Sequence, residues 1–349
     1  MVLGVMSPPA PEVRLRSRVF TLVTLLLSLA CLGWALHGIG WSELWEDIRE
    51  LEWKWVVLAV AAELVVYQMQ GWRWGLILLP VGPVGGWNPA RAIFIGQLLP
   101  MRAGELIRSF LLARWSKIPT SVTLASVAIE RIFDGVLLIS GLFLSLRYIH
   151  RFPLTRVQAR AIGILTTGSI SLAALILIGA ALLAVAMFWR EQTLDILLDA
   201  RLFGWAHVFI EDLHRIGHSR SLYFSAFLSI PYLLLQIVPI YAIMRAYELN
   251  EASWSRAAVL MVLLRLGAVL PQAPGNVGLY QLLSALGLTL FGVQGAMARR
   301  FAEILWGIVT LPVLLVGFAA SVATGAKMGE IHREAQAEMR ARQDELSRT

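Results

Sequence analysis

Long apolar runs alternate with short polar segments along the chain. Six runs are long enough to cross a bilayer, which requires roughly 17–25 mainly apolar residues. They cover residues 19–36, 55–79, 121–146, 161–188, 222–244 and 302–323. Two further apolar runs, 90–114 and 257–291, are interrupted by proline and glycine. This pattern predicts an all-α fold, a polytopic membrane helical bundle with two re-entrant or broken-helix hairpins.

The two interrupted runs resemble each other. Each has an apolar approach, a Leu-Pro pair, a short polar and glycine-containing break, and an apolar exit. Pro100 and Pro271 are 171 positions apart, and Gly135 and Gly307 downstream are 172 apart. With two spans before the first hairpin and three more between the first and the second, the hairpins enter from opposite sides. The sequence thus predicts inverted repeats whose breaks meet near the midplane, with both termini in the cytoplasm.

Composition excludes a soluble protein. The 349 residues are 58% hydrophobic and 15% charged, and the mean hydropathy is +0.69. The net charge of +7 favours contact with anionic lipid headgroups, whereas nucleic-acid binding would need a basic soluble face that this chain lacks. We predict a basic disordered head (1–17), a transmembrane domain (18–325) and a charged helical or disordered tail (326–349). The arginine-rich loop 147–160 would lie outside, against the positive-inside rule.

Three charges lie near the centre of the span 121–146, namely Glu130, Arg131 and Asp134. A charge at a helix centre costs about 2.5–3.5 kcal/mol, whereas each large aliphatic residue or phenylalanine returns only about 0.3–0.6 kcal/mol. These side chains should therefore face protein or water. Glu130 and Asp134 share a helical face and repel, so cations should balance them, most simply Arg102 and Arg108. Such a buried network could either hold helices together or bind a substrate.

The breaks favour a binding role. Pro100 should end the approach helix, Gly104 should give the backbone freedom, and a half-helix should begin near Ala103 with N–H groups that suit an anion. The second interruption repeats this arrangement of prolines and glycines with Pro271, Pro274, Gly275 and Gly278. Its polar residues are uncharged and include Gln272, Asn276, Tyr280 and Gln281. The predicted substrate-binding residues are Arg102, Gly104, Glu105, Arg108, Glu130, Arg131, Asp134, Pro274, Gly275, Gly278 and Gln281.

Other polar positions carry weaker predictions. Residues 38–54 look like a Trp-rich interfacial loop, and Trp72, Arg73 and Trp74 look like interface anchors. Glu63, Gln68 and Gln70 could face the interior. Two interpretations stay open for a further set, which either borders the second break or lies at the interface: Arg265, Arg299, Arg300 and Glu303. His207, Glu211, His214 and His218 are more typical of a solvated face than of a metal site, and the sequence predicts no metal and no cofactor.

The motifs together resemble those of the lysylphosphatidylglycerol synthase transmembrane, or flippase-like, family. The stretches are LLPMRAGELIRSFLL, AIERIFDGVLL and LPQAPGNVGLYQ, in this order. The family pattern places Arg102, Gly104, Glu105 and Arg108 after a proline, an E-R-x-x-D motif on the next span, and a P-G-x-x-G break. Gln281 stands near a position where the family often has an acid. Members with a synthase domain use aminoacyl-tRNA, and this chain shows no such unit.

The resemblance implies a multi-pass inner-membrane protein that moves an anionic or polyprenyl-linked lipid between leaflets. Its partner would be a membrane lipid headgroup, with Arg102 and Arg108 on the phosphate, and a homo-oligomer is compatible with the sequence. An alternative is a membrane enzyme or accessory subunit that modifies a lipid-linked sugar or phospholipid, with Glu105 or Asp134 as acid or base. A small-solute transporter is a third. The sequence names neither the lipid nor the energy source.

Overall fold

The computed structural model describes residues 40–99, 103–149, 212–217, 219–250, 252–268 and 274–324, with isolated helical positions at Gly33 and between residues 156 and 181. The predicted head and tail, most of the predicted spans 19–36 and 161–188, and the breaks at 100–102 and 269–273 lie outside this part. No strand occurs among the described residues, so the all-α prediction is confirmed. The helices are α1 (Trp41–Glu50), α2 (Trp53–Leu78), α3 (Asn88–Gly96), α4 (Ala103–Ser116), α5 (Thr120–Ile149), α6 (Arg220–Leu235), α7 (Ile237–Ala246), α8 (Trp254–Gly267), α9 (Leu279–Leu290) and α10 (Gly295–Ala323).

Within the described ranges, three helical segments have the length and apolarity to cross a membrane. They are α2, the continuous pair α6–α7, and α10. Helix α5 is 30 residues long, about 45 Å at 1.5 Å per residue. Glu130, Arg131 and Asp134 lie in its N-terminal half. The polytopic helical membrane bundle predicted from the sequence is therefore present.

Local sequence explains where the helices stop and start. The Ser219 and Ser253 side chains accept hydrogen bonds from the backbone N–H of Leu222 and Arg256, and so cap α6 and α8. The break between α6 and α7 follows from Pro239, which has no N–H to donate to the carbonyl of Leu235. Gln236 lies at this break, and its side chain is buried.

Each predicted interruption joins two short helices that pack against each other, α3 with α4 and α8 with α9. A Cβ atom at Gly104 would lie 2.1 Å from the carbonyl oxygen of Gly96, so only glycine lets α3 and α4 approach this closely. Gly104 has a helical backbone, and the prediction that it supplies backbone freedom is wrong, because close packing is what requires it. Gly267 lies 171 positions after Gly96, and a Cβ atom there would meet the end of the Leu283 side chain of α9 rather than backbone.

The two halves of the chain exchange their short helices. Helix α3 of the first half packs on α10 of the second, and α8 of the second half packs on α5 of the first. Gly317 admits the backbone of α3, since a Cβ there would lie 2.3 Å from the carbonyl oxygen of Phe94. The internal repeat read from the sequence stays a prediction. The inverted orientation of the repeats in the membrane stays a prediction.

Residues 41–50, predicted as part of an interfacial loop, form the amphipathic helix α1 with Trp41 and Trp45 exposed. Arg300 holds this helix against the start of α10 by ion pairs with Glu43 and Asp47, the latter at 2.6 Å. The Tyr247 hydroxyl also donates to Asp47, and burial together with this carboxylate raises the pKa of Tyr247. Of the two places left open for Arg300, the border of the second break and the interface, these contacts favour the interface.

Candidate functional site

Three ion pairs join α2, α4 and α5, two of them inside the bundle, and we call them the arginine–carboxylate network. Arg73 Nη2 lies 2.7 Å from Asp134 Oδ1, and Arg108 Nη2 lies 2.8 Å from Glu130 Oε2. Gln70 Nε2 donates to the other Glu130 oxygen at 2.7 Å. Arg131 Nε lies 3.6 Å from Glu105 Oε1 in the most exposed of the three pairs. Each acid of α4 and α5 therefore has its own arginine.

Helical spacing places these groups. Glu130 and Asp134 are four residues apart on one face of α5, and Gln70 and Arg73 are three apart on one face of α2, so two rungs form between the helices. Glu130 and Arg73 are both 0% exposed. Charges this deeply buried persist only when they are paired and hydrogen-bonded. The predicted network between the first hairpin and the following span is present through Arg108 and Glu130.

Aromatic rings complete the shell of the two buried arginines. The Arg73 guanidinium lies 4.3 Å from the ring centroid of Tyr232, and that of Arg108 lies 4.9 Å from the ring of Trp74. Arg73 Nε and Nη1 and Arg108 Nε have no hydrogen-bond partner among the described residues. The ring faces supply the stabilisation that a cation receives from a π system.

Arg73 and Trp74 are wholly buried, so their prediction as interface anchors is wrong. Trp74 donates to Ser126 Oγ at 2.8 Å, and only Trp72 of this group is exposed. Counting charges could have found Arg73, because Glu105, Glu130 and Asp134 outnumber Arg108 and Arg131. Arg102, which the sequence predicts as this cation, lies outside the described residues.

The second break is built from left-handed backbone and side-chain caps. Gly275 has φ 67°, Gly278 has φ 91°, and Asn276 between them has φ 58°, conformations that favour glycine and tolerate asparagine. Gln281 Oε1 accepts the Gly278 N–H at 2.7 Å, and Trp306 Nε1 donates to the Gly275 carbonyl at 2.7 Å. These bonds explain why the chain can turn here inside the bundle. Pro274 begins the short 3₁₀ turn of this break.

A cavity lies between the ends of the two hairpins. Its empty space, together with the open solvent at its mouth, is about 850 Å³. Its walls come from α2, the α3 end, the α6–α7 break, α8, the second break, α9 and α10. The polar lining residues are Glu63, Tyr67, Gln97, Gln236, Arg265, Asn276, Tyr280 and Thr310.

The predicted site residues fall into separate places. Glu105, Arg108, Glu130, Arg131 and Asp134 form the network, and none of them lines the cavity. Gly104 packs the first hairpin, while Gly278 and Gln281 shape the second break, where Gln281 Nε2 also lies 3.4 Å from Glu303 Oε2. Of the predicted set, Gly275 lines the cavity.

Several cavity residues were named in the sequence without a definite place. The sequence predicts that Glu63 could face the interior, allows two places for Arg265, and marks Tyr280 only as a polar residue of the second break. All three line the cavity. The sequence predictions do not include Gln236. Pro239, three residues later, is the feature of the sequence that could have indicated a helix break there. His207, Glu211 and His218 lie outside the described residues, and no group of three metal-ligating side chains occurs within them.

Comparison with known proteins now assigns the family. Residues 21–317 match the family described as "Lysylphosphatidylglycerol synthase TM region". The chain belongs to this family. A "UPF0104 membrane protein" of Methanothermobacter thermautotrophicus is 25% identical, over 81% of this chain and 86% of the relative. No solved structure matches. Membership of the lysylphosphatidylglycerol synthase TM family confirms the resemblance read from the three motifs.

Proposed function

We propose that this protein moves a lipid between the two leaflets, with the headgroup in the cavity and the acyl chains in the bilayer. The cavity carries the proposal, because it brings a carboxylate, a guanidinium, amides and hydroxyls between apolar spans. A headgroup cannot cross the hydrocarbon core without such polar partners. The family description names a synthase of lysylphosphatidylglycerol, which supports a lipid as the cargo.

The breaks around the cavity supply backbone that can rearrange. Gln97 at the end of α3, Gln236 at the α6–α7 break and Gly275 at the second break all line the cavity. Discontinuous helices that meet at a central site are the arrangement by which many transporters alternate access. The arginine–carboxylate network lies beside this region, and we propose that it keeps the first hairpin in place. Binding of phosphate by Arg102 and Arg108 stays a prediction.

Filling the cavity should stop transport. Thr310 lines the cavity from α10, with its methyl group 3.4 Å from where a Gly275 Cβ would lie. Phe at position 310 would occupy headgroup space, and we expect at least a tenfold slower transfer of fluorescent lipid between leaflets of proteoliposomes. Leu315→Phe is the matched control, because Leu315 is 68% exposed on the same helix and should leave the rate unchanged. Equal rates for wild type and Thr310→Phe would contradict the cavity route.

A further inference from the structure

Two opposite charges face the cavity without bonding each other. Glu63 on α2 and Arg265 on α8 both line it. Neither makes an ion pair within 4.0 Å or a side-chain hydrogen bond to any residue the structure describes. By contrast, Glu105, Glu130 and Asp134 each bond an arginine, and Glu303 bonds Gln281. Glu63 and Arg265 therefore keep their bonding capacity for something that enters the cavity.

Gln236 adds an unused acceptor to the same cavity. It is 5% exposed, its Nε2 donates to the Tyr232 carbonyl at 3.1 Å, and its Oε1 has no partner among the described residues. A buried carbonyl oxygen without a donor costs about 1–3 kcal/mol. A ligand N–H would remove this penalty. The acceptors Glu63 and Gln236 suit an ammonium group, and the donor Arg265 suits a phosphate, to which guanidinium binds with two parallel hydrogen bonds.

We propose that the cavity selects a zwitterionic headgroup, one that carries both a phosphodiester and a protonated primary amine. Arg265 holds the phosphate, and Glu63 with Gln236 holds the amine. A purely anionic headgroup would meet the Glu63 carboxylate unpaired, and a purely cationic one would meet Arg265, so both are disfavoured. This inference rests on the proposed function and replaces an anionic cargo, as expected from the sequence, by one whose charges cancel.

Lipid selectivity in vesicles tests the inference. Proteoliposomes of phosphatidylcholine would contain traces of acyl-labelled fluorescent phosphatidylethanolamine, phosphatidylglycerol or phosphatidylcholine, and dithionite quenching would follow their movement. We expect the ethanolamine lipid to move about tenfold faster than the glycerol lipid, since one charge-assisted hydrogen bond has roughly that value. The choline lipid should also be slower, because its quaternary ammonium has no N–H for Gln236 or Glu63.

Single substitutions test the separate roles of Glu63 and Arg265 in headgroup binding. Glu63→Gln should bring the ethanolamine and glycerol lipids to similar rates, and Arg265→Gln should slow both. Neither change should lower the thermal stability in detergent, because neither side chain bonds a described residue. Glu303→Gln is the matched control: it neutralises an acid that does not line the cavity and keeps an acceptor for Gln281, so the wild-type preference should remain. Unchanged selectivity in Glu63→Gln, or wild-type rates for both lipids in Arg265→Gln, would overturn the inference.

A binding measurement separates failure of this inference from failure of the proposed function. Short-chain phosphatidylethanolamine should raise the melting temperature of the detergent-solubilised protein more than short-chain phosphatidylglycerol does, and Glu63→Gln should abolish the difference. If this holds while no lipid moves in vesicles, the headgroup site stands and the transport proposal fails. Soluble glycerophosphoethanolamine distinguishes the source of the ligand, because stabilisation by it at equal concentration would indicate a free solute. Equal stabilisation by both lipids would overturn the zwitterion assignment.

Discussion

Replacing Glu130 with alanine should lower the free energy of unfolding by about 3–5 kcal/mol, the cost of leaving one member of a buried ion pair alone. Glu130 is fully buried and accepts hydrogen bonds from Arg108 and Gln70. Its loss strands the Arg108 guanidinium between α4 and α5 and opens the junction of the first hairpin with its neighbouring span. Unfolding by sodium dodecyl sulfate in mixed micelles, followed by tryptophan fluorescence, would measure the change.

The control for this experiment is an ion pair at the surface. Glu52 lies 2.8 Å from Lys54 just before α2, with side chains 36% and 71% exposed. Exposed pairs contribute about 0–1 kcal/mol, so Glu52→Ala should change stability by no more than that. Similar losses from both variants would mean that Arg108 finds another partner when Glu130 is removed, and that the burial argument fails.

The second prediction concerns the ion pair of Arg73 and Asp134, for which a double variant should regain the stability that a single variant loses. Arg73→Met alone should also cost about 3–5 kcal/mol, because Asp134 then remains in the bundle without its cation. The double variant Arg73→Met with Asp134→Leu should regain most of this loss, since apolar residues of similar volume can replace a buried pair with little net change. The same micelle titration, applied to both single variants and the double variant, gives the coupling energy.

Transport by the double variant decides what the network does. If the pair only holds α2 against α5, the refolded double variant should move lipid at no less than half the wild-type rate, as we expect from its place outside the cavity. A stable double variant that moves no lipid would show that Arg73 and Asp134 take part in transport. The experiment thus separates the two interpretations that the sequence alone left open.

Much of the fold follows from sequence because its signals are local. Apolar length predicts the spans, and the glycines and prolines of the two interruptions predict short helices between them. Glu130 and Asp134 were recognised as buried because no arrangement in lipid tolerates them on an exposed face. The partner Arg108 was also predicted, since it lies only 22 positions away in the adjoining hairpin.

The cavity could not be read in this way, because its charges come from distant parts of the chain. Glu63 and Arg265 are about two hundred positions apart, and nothing local distinguishes an acid that lines a cavity from one that meets an arginine. Arg73 illustrates the same limit: tryptophans on both sides are typical of an interface, whereas tertiary packing buries it against Asp134 and Tyr232. Only the reciprocal exchange of short helices between the halves brings such residues together.

That exchange has a consequence for biogenesis. Helix α3 packs against α10, and α5 packs against α8. During synthesis, α3 and α5 leave the ribosome long before these partners. At 5–20 residues per second, roughly 10–45 s separate the end of α3 from the end of α10. Throughout this interval α3 and α5 lack the helices that cover them in the finished protein. We expect the insertion machinery or a membrane chaperone to retain the first half until the second half arrives.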